Sequence, residues 1–133
     1  MAKFFTWGCG LFFFVYGMGF VLFPESLSFW VTDSVPATSS GVTDMRATYG
    51  GMSAAMGLTI LLLAKQESQL TRPLLVTVMV LWGMAIGRII GMFIDGDPNL
   101  MMFIYLAAEC LFGGLALWLF GVEKKKALGG GQT

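Results

Sequence analysis

Four apolar runs, each close to twenty residues long, constrain this chain more than any other feature. They cover residues 4–23, 45–64, 73–94 and 100–120, and a helix needs about 20 apolar residues to cross roughly 30 Å of hydrocarbon. A buried helix of a soluble protein is usually shorter and keeps one polar face. The composition agrees: 56% of the 133 residues are hydrophobic and 12% charged, against about 25% charged in soluble domains. The chain therefore reads as an all-α, polytopic membrane protein, one four-helix transmembrane domain over residues 1–121. The polar, glycine-rich stretch 122–133 reads as a disordered tail.

The formal net charge is zero, so the overall balance invites no nucleic acid. Its distribution says more. Lys3, Lys65, Arg72, Lys124, Lys125 and Lys126 flank the runs on one side, whereas Glu25, Asp33, Asp44, Asp95 and Asp97 lie on the other. Basic flanks stay in the cytoplasm, which predicts both termini inside and the loops 24–44 and 95–99 outside. The first run has a meagre basic lead, Lys3, and no cleavage site close behind it, so it reads as a retained helix. Pro24 should end that helix. Leu27, Phe29, Trp30 and Val31 should lie on the outer interface, where Trp is favoured. Asp44 is the expected N-cap of the second span, and Pro73 suits the first turn of the third. Cys9 and Cys110 fall inside the runs with no CxxC spacing and read as free packing residues. The chain has no histidine, which excludes haem held by His and the usual His-containing zinc sites. No cofactor or metal is expected.

Small residues mark the second and third spans. Gly50 and Gly51 open small-xxx-small pairs, and Gly83, Gly87 and Gly91 form a doubled GxxxG. Such stripes let helix backbones approach closely, and they are expected to pack helices within the bundle or across a dimer.

Three ionisable residues lie inside the runs or at their edge: Arg46, Arg88 and Glu109. A charge near the bilayer centre costs about 3 kcal/mol and normally finds a partner. At ~1.5 Å per residue, Arg88 lies roughly 10 Å below Asp95 and Glu109 roughly 15 Å below Asn99. Both occupy the outer half of helices joined by a tight turn, so an Arg88–Glu109 pair is expected. Arg88 and Asp95 are seven apart and share a face. Tyr105 precedes Glu109 by one turn, and Tyr49 and Ser53 follow Arg46 at three and seven. These groups would converge below the outer surface. Two arginines against one buried carboxylate leave a positive excess suited to a carboxylate or phosphate, which arginine holds in a fork. The plainer reading makes Arg88–Glu109 a helix tie, with Arg46 reaching the headgroups.

The stretches MRATYGGMSAAMGL and GRIIGMFIDGDP, followed by Glu109 in the last run, resemble an uncharacterised bacterial family of small four-helix membrane proteins, catalogued as a domain of unknown function. The likeness extends from the first helix to about Phe120. It is most specific at Arg46, Tyr49, Gly50, Gly51, Arg88, Gly91, Asp95, Gly96 and Pro98. It implies a multi-pass protein of a bacterial inner (cytoplasmic) membrane and carries no activity with it.

Four functions compete. The first is a binder of an amphipathic anionic ligand (a lipid, fatty acid or quinone-like molecule) through Arg46 and Arg88. The second is an accessory subunit docked on a homodimer or membrane-complex partner by its glycine faces. A small transporter is the third, although Arg88 beside Glu109 opposes the raised pKa that proton coupling needs. An enzyme is the weakest, since no nucleophile–base spacing or metal set is present; only Glu109 with Tyr105 offers acid–base groups.

Overall fold

A computed structural model describes residues 1–66 and 70–129. Every regular element among the described residues is helical: α1 (Ala2–Leu22), α2 (Pro24–Thr32), α3 (Ser39–Met45), a π-helical segment (Arg46–Met52), α4 (Ser53–Gln66), α5 (Thr71–Asp95) and α6 (Leu100–Gly129). Helix α3, the π segment and α4 form one continuous rod, Ser39–Gln66. With α1, α5 and α6 it makes four helices long and apolar enough to cross a membrane. No more than 28% of each apolar window is buried. Large side chains such as Phe4, Phe93, Leu100 and Leu111 point outward, an arrangement that lipid solvates and water would not. The chain is an all-α, multi-pass membrane protein.

Helix ends follow local chemistry. Phe23 separates α1 from α2, and Pro24, with no N–H to satisfy, takes the first position of α2. Asp33 closes α2 in a left-handed conformation with φ of 54°. Ser28 Oγ donates to the Ser34 carbonyl at 2.7 Å, which folds the chain back behind it. The second span starts at Ser39, not beside Asp44. Its N-cap is Thr38, whose Oγ1 accepts the Gly41 N–H at 3.1 Å, and Asp44 sits inside the helix. Between α5 and α6, Gly96 and Asp97 adopt positive φ of 70° and 41°, reversing the chain before Pro98. Asn99 then caps α6 by accepting the Met102 N–H at 3.1 Å. Its amide also donates to the Val31 carbonyl (3.1 Å) and to Asp33 Oδ2 (2.7 Å), which fastens α6 to the end of α2.

At the other end, α6 runs on to Gly129, so residues 122–129 are helical where a disordered tail was expected. Glu, Lys, Ala and Leu are good helix formers, and Lys126 pairs with Glu123 at 2.8 Å one turn away. Residues 130–133 of that expected tail lie outside the described residues.

The bundle is built from two close pairs. Helix α1 meets the π–α4 rod backbone to backbone through Gly10 and Gly17 on one side and Gly50, Ala54 and Gly57 on the other. A Cβ built on Gly57 would lie 2.6 Å from the Gly10 carbonyl oxygen, and one on Gly50 2.9 Å from the Val21 nitrogen. Helices α5 and α6 form the second pair, where Gly113 receives the Trp82 indole (3.2 Å from a built Cβ to Nε1). Side chains join the pairs: Ala2, Ala64, Leu70, Leu74 and Leu119 cluster at one end, and Phe13, Ile60 and Leu81 midway.

Four of the five packing glycines read from the sequence make no close approach to another helix of this chain among the described residues. A Cβ at Gly83 or Gly87 would meet no described atom within 4 Å, and one at Gly91 or Gly51 would meet only its own helix, at Asp95 Oδ2 or the Arg46 carbonyl. The reason is rotational. The inward face of α5 is set by Leu74, Thr77, Leu81 and Ala85, and Gly83 and Gly87 lie off that face at ~100° per residue. Of the five, only Gly50 makes the close approach.

Candidate functional site

The centre of the polar constellation is a forked ion pair between α5 and α6. Arg88 Nε donates to Glu109 Oε2 at 3.1 Å, and Nη2 donates to Oε1 at 2.7 Å. Both side chains are withdrawn from the surface, Glu109 to 6% exposure and Arg88 to 17%. The DGDPN turn sets the two helices antiparallel with both residues in the half nearer the turn, and the length of the arginine side chain spans the remaining difference in depth. The pairing satisfies both carboxylate oxygens, and no buried side-chain polar atom among the described residues lacks a partner.

The guanidinium has more to offer than Glu109 takes. Its Nη1 points at Met102 Sδ, 3.1 Å away, and a thioether is a weak acceptor. Of five N–H donors, three are thus engaged, one of them poorly. The guanidinium carbon also stands 5.2 Å from the centre of the Tyr105 ring, a cation–π distance.

Tyrosines gather here. Tyr105 of α6 meets Tyr16 of α1 edge to face at 6.5 Å, Tyr16 touches Phe20 at 5.1 Å, and Phe20 stacks on Tyr49 of the π segment at 5.4 Å. The chain has 3 tyrosines, each from a different element: Tyr105 lies over the cation, and Tyr16 and Tyr49 follow through the ring contacts. Tyr16 and Met102 were not singled out from the sequence. Tyr16 is the one tyrosine in an otherwise apolar first run, and Met102 precedes Glu109 by seven and so shares its face; those were the available signals.

The remaining candidates sit apart from the pair. Arg46 Nη1 donates to the carbonyl of Val21, one of the carbonyls that α1 leaves open at its C-terminus, where a cation is favoured. This contact directs Arg46 to the end of α1, and no hydrogen bond or ion pair among the described residues links it to the Arg88–Glu109 pair. The π turns also break the 3.6-residue repeat on which a common face for Arg46, Tyr49 and Ser53 rested. Ser53 is half-buried at the start of α4, and no hydrogen bond among the described residues links it to the pair. Asp95 is exposed at the end of α5.

This arrangement limits the chemistry. Both Glu109 oxygens are committed, which leaves no free base beside Tyr105. Among the described residues no group of three His, Cys, Asp or Glu could hold a metal ion, and both cysteines are free thiols. Two surface cavities of about 320 and 300 Å³ lie elsewhere, one beside Trp30 and Asn99, the other beside Lys3 and Trp118.

The family model for a domain of unknown function (DUF4345) matches residues 1–120. That stretch holds all four spans up to the end of the apolar part of α6, together with every residue of the constellation. No curated protein and no solved structure matches the chain.

Proposed function

From the premise that this chain belongs to the DUF4345 family, we propose that it binds, within the membrane, the anionic head of an amphipathic molecule at Arg88, with the hydroxyls of Tyr16, Tyr49 and Tyr105 completing the site. One observation carries this reading: Tyr105 lies over a guanidinium whose donors Glu109 does not exhaust, and Tyr16 and Tyr49, from two further elements, adjoin it through a chain of ring contacts. A helix tie needs only the ion pair. Three phenols around it are surplus to that task, and each must find a hydrogen-bond partner in a medium without water. A carboxylate or phosphate would accept from the spare Arg88 N–H groups and from the phenols together. Entry is lateral, along the seam between the two helix pairs. The basic end of the bundle (Lys3, Lys65, Arg72, Lys124, Lys125, Lys126) faces the cytoplasm of a bacterial cell and the site opens in the outer leaflet.

The test is native mass spectrometry of the protein in nanodiscs, comparing wild type with the Tyr16→Phe/Tyr49→Phe/Tyr105→Phe variant. The rings stay, so the fold does. Each lost hydrogen bond is worth about 1 kcal/mol, and retention should weaken by about a hundredfold. Identical bound molecules in both proteins would overturn the reading.

A second reading, an accessory subunit, draws on the open space over Gly83 and Gly87. Close helix packing uses such glycines elsewhere in this same protein, so a partner helix fits that face of α5. Crosslinking in native membranes separates a lone protein from an assembled one.

A further inference from the structure

The end of the bundle opposite the Arg88 site holds a cavity of about 300 Å³ between the start of α1 and the end of α6. We infer that it is a headgroup site for an anionic phospholipid of the leaflet on the basic side of the membrane. This inference is independent of the Arg88 site. Lys3 enters the cavity from α1, and Trp118, Val122, Glu123 and Lys126 enter from one stripe of α6, with Leu70 between them. From Trp118 to Lys126 that stripe climbs about 12 Å, enough to traverse the ~5–7 Å interfacial layer outside the hydrocarbon. The order along it is apolar first and cationic last, which is the order of acyl chain, glycerol and phosphate in a lipid. Trp118 stands where indole rings favour the interface.

Charge complementarity selects the occupant. Lys3, Lys65, Arg72, Lys124, Lys125 and Lys126 all lie at this end of the four spans. Among the described residues Glu123 is the one carboxylate lining the cavity, and its exposed pair with Lys126 is too weak to hold that lysine from a phosphate. A soluble phosphate would meet the lysines but not the apolar wall below them. The extension of α6 to Gly129 matters here, because a disordered tail would not keep Lys126 over Trp118.

The experiment uses full-length protein in nanodiscs of equal phosphatidylglycerol and phosphatidylcholine, with retained lipids counted by native mass spectrometry. Wild type should retain phosphatidylglycerol selectively, and millimolar inorganic phosphate should not displace it. The Lys3→Gln/Lys126→Gln variant should lose that preference by roughly fivefold per lysine. The Lys124→Gln/Lys125→Gln variant, with the same change in charge but outside the cavity, should keep it. Lys3→Arg/Lys126→Arg should restore it, and Lys126→Gln alone reads half the effect should the neutral pair assemble poorly. Equal loss in both neutral pairs means diffuse surface charge and overturns the site. So does an absence of preference in wild type, or displacement by phosphate alone.

Discussion

Arg88 and Glu109 each carry a charge that hydrocarbon penalises by about 3 kcal/mol, yet joined in a fork they present a neutral unit with its strongest donors and acceptors used. Breaking the unit should hurt more than removing it. Glu109→Leu leaves a guanidinium without its counter-ion and should lower stability by about 3–5 kcal/mol, whereas Arg88→Leu/Glu109→Leu should recover most of the loss. Unfolding in mixed micelles with increasing dodecyl sulfate measures both. A double variant as unstable as the single one would mean that Arg88 owes little of its placement to Glu109. The pair was legible in the sequence because two charges in the outer half of adjacent spans, joined by a tight turn, have few other partners. Arg46 was grouped with the cluster by its helical spacing to Tyr49 and Ser53, with headgroup contact as the plainer reading; the open Val21 carbonyl of α1, invisible in composition, is where its Nη1 donates. Tyr16 was missed because the first run gives no clue to its facing.

The four long helices were plain from apolar length, but which glycines meet was not. A stripe in sequence marks a smooth face without saying what covers it, and the most regular stripe, on α5, is the uncovered one. The working contact uses Gly10 and Gly17 against Gly50 and Gly57, a seven-residue spacing on both partners. Gly57→Ala should therefore push α1 away from α4 and cost about 1–3 kcal/mol, as overpacking does. Gly83→Ala and Gly87→Ala should be neutral, or stabilising by up to ~1 kcal/mol through helix propensity. The same unfolding assay compares them, and equal losses at all three would refute the packing. The π segment was likewise hidden, since an i→i+5 hydrogen-bond pattern has no compositional signature. It falls on RATYGGM, within the stretch that carries the family resemblance, and π turns recur at functional sites.

Across the whole molecule, the antiparallel order of four spans sets Lys3, Lys65, Arg72 and Lys126 at one end and Asp33, Asp95 and Asn99 at the other. In a Cys9→Ala/Cys110→Ala background, an impermeant maleimide added to intact cells should label Ser34→Cys and leave Lys125→Cys unmodified until the membrane is opened. The reverse pattern would invert the orientation. The two pairs also differ in what they require during synthesis. Helix α1 and the π–α4 rod have a complete interface, glycine against backbone, as soon as both have left the ribosome. Helix α5 does not, because its arginine enters the membrane 21 residues ahead of its carboxylate. Until Glu109 follows, Arg88 stands in the membrane without its counter-ion at a cost of about 3 kcal/mol, which the apolar length of α5 outweighs, so α6 completes α5 rather than admits it.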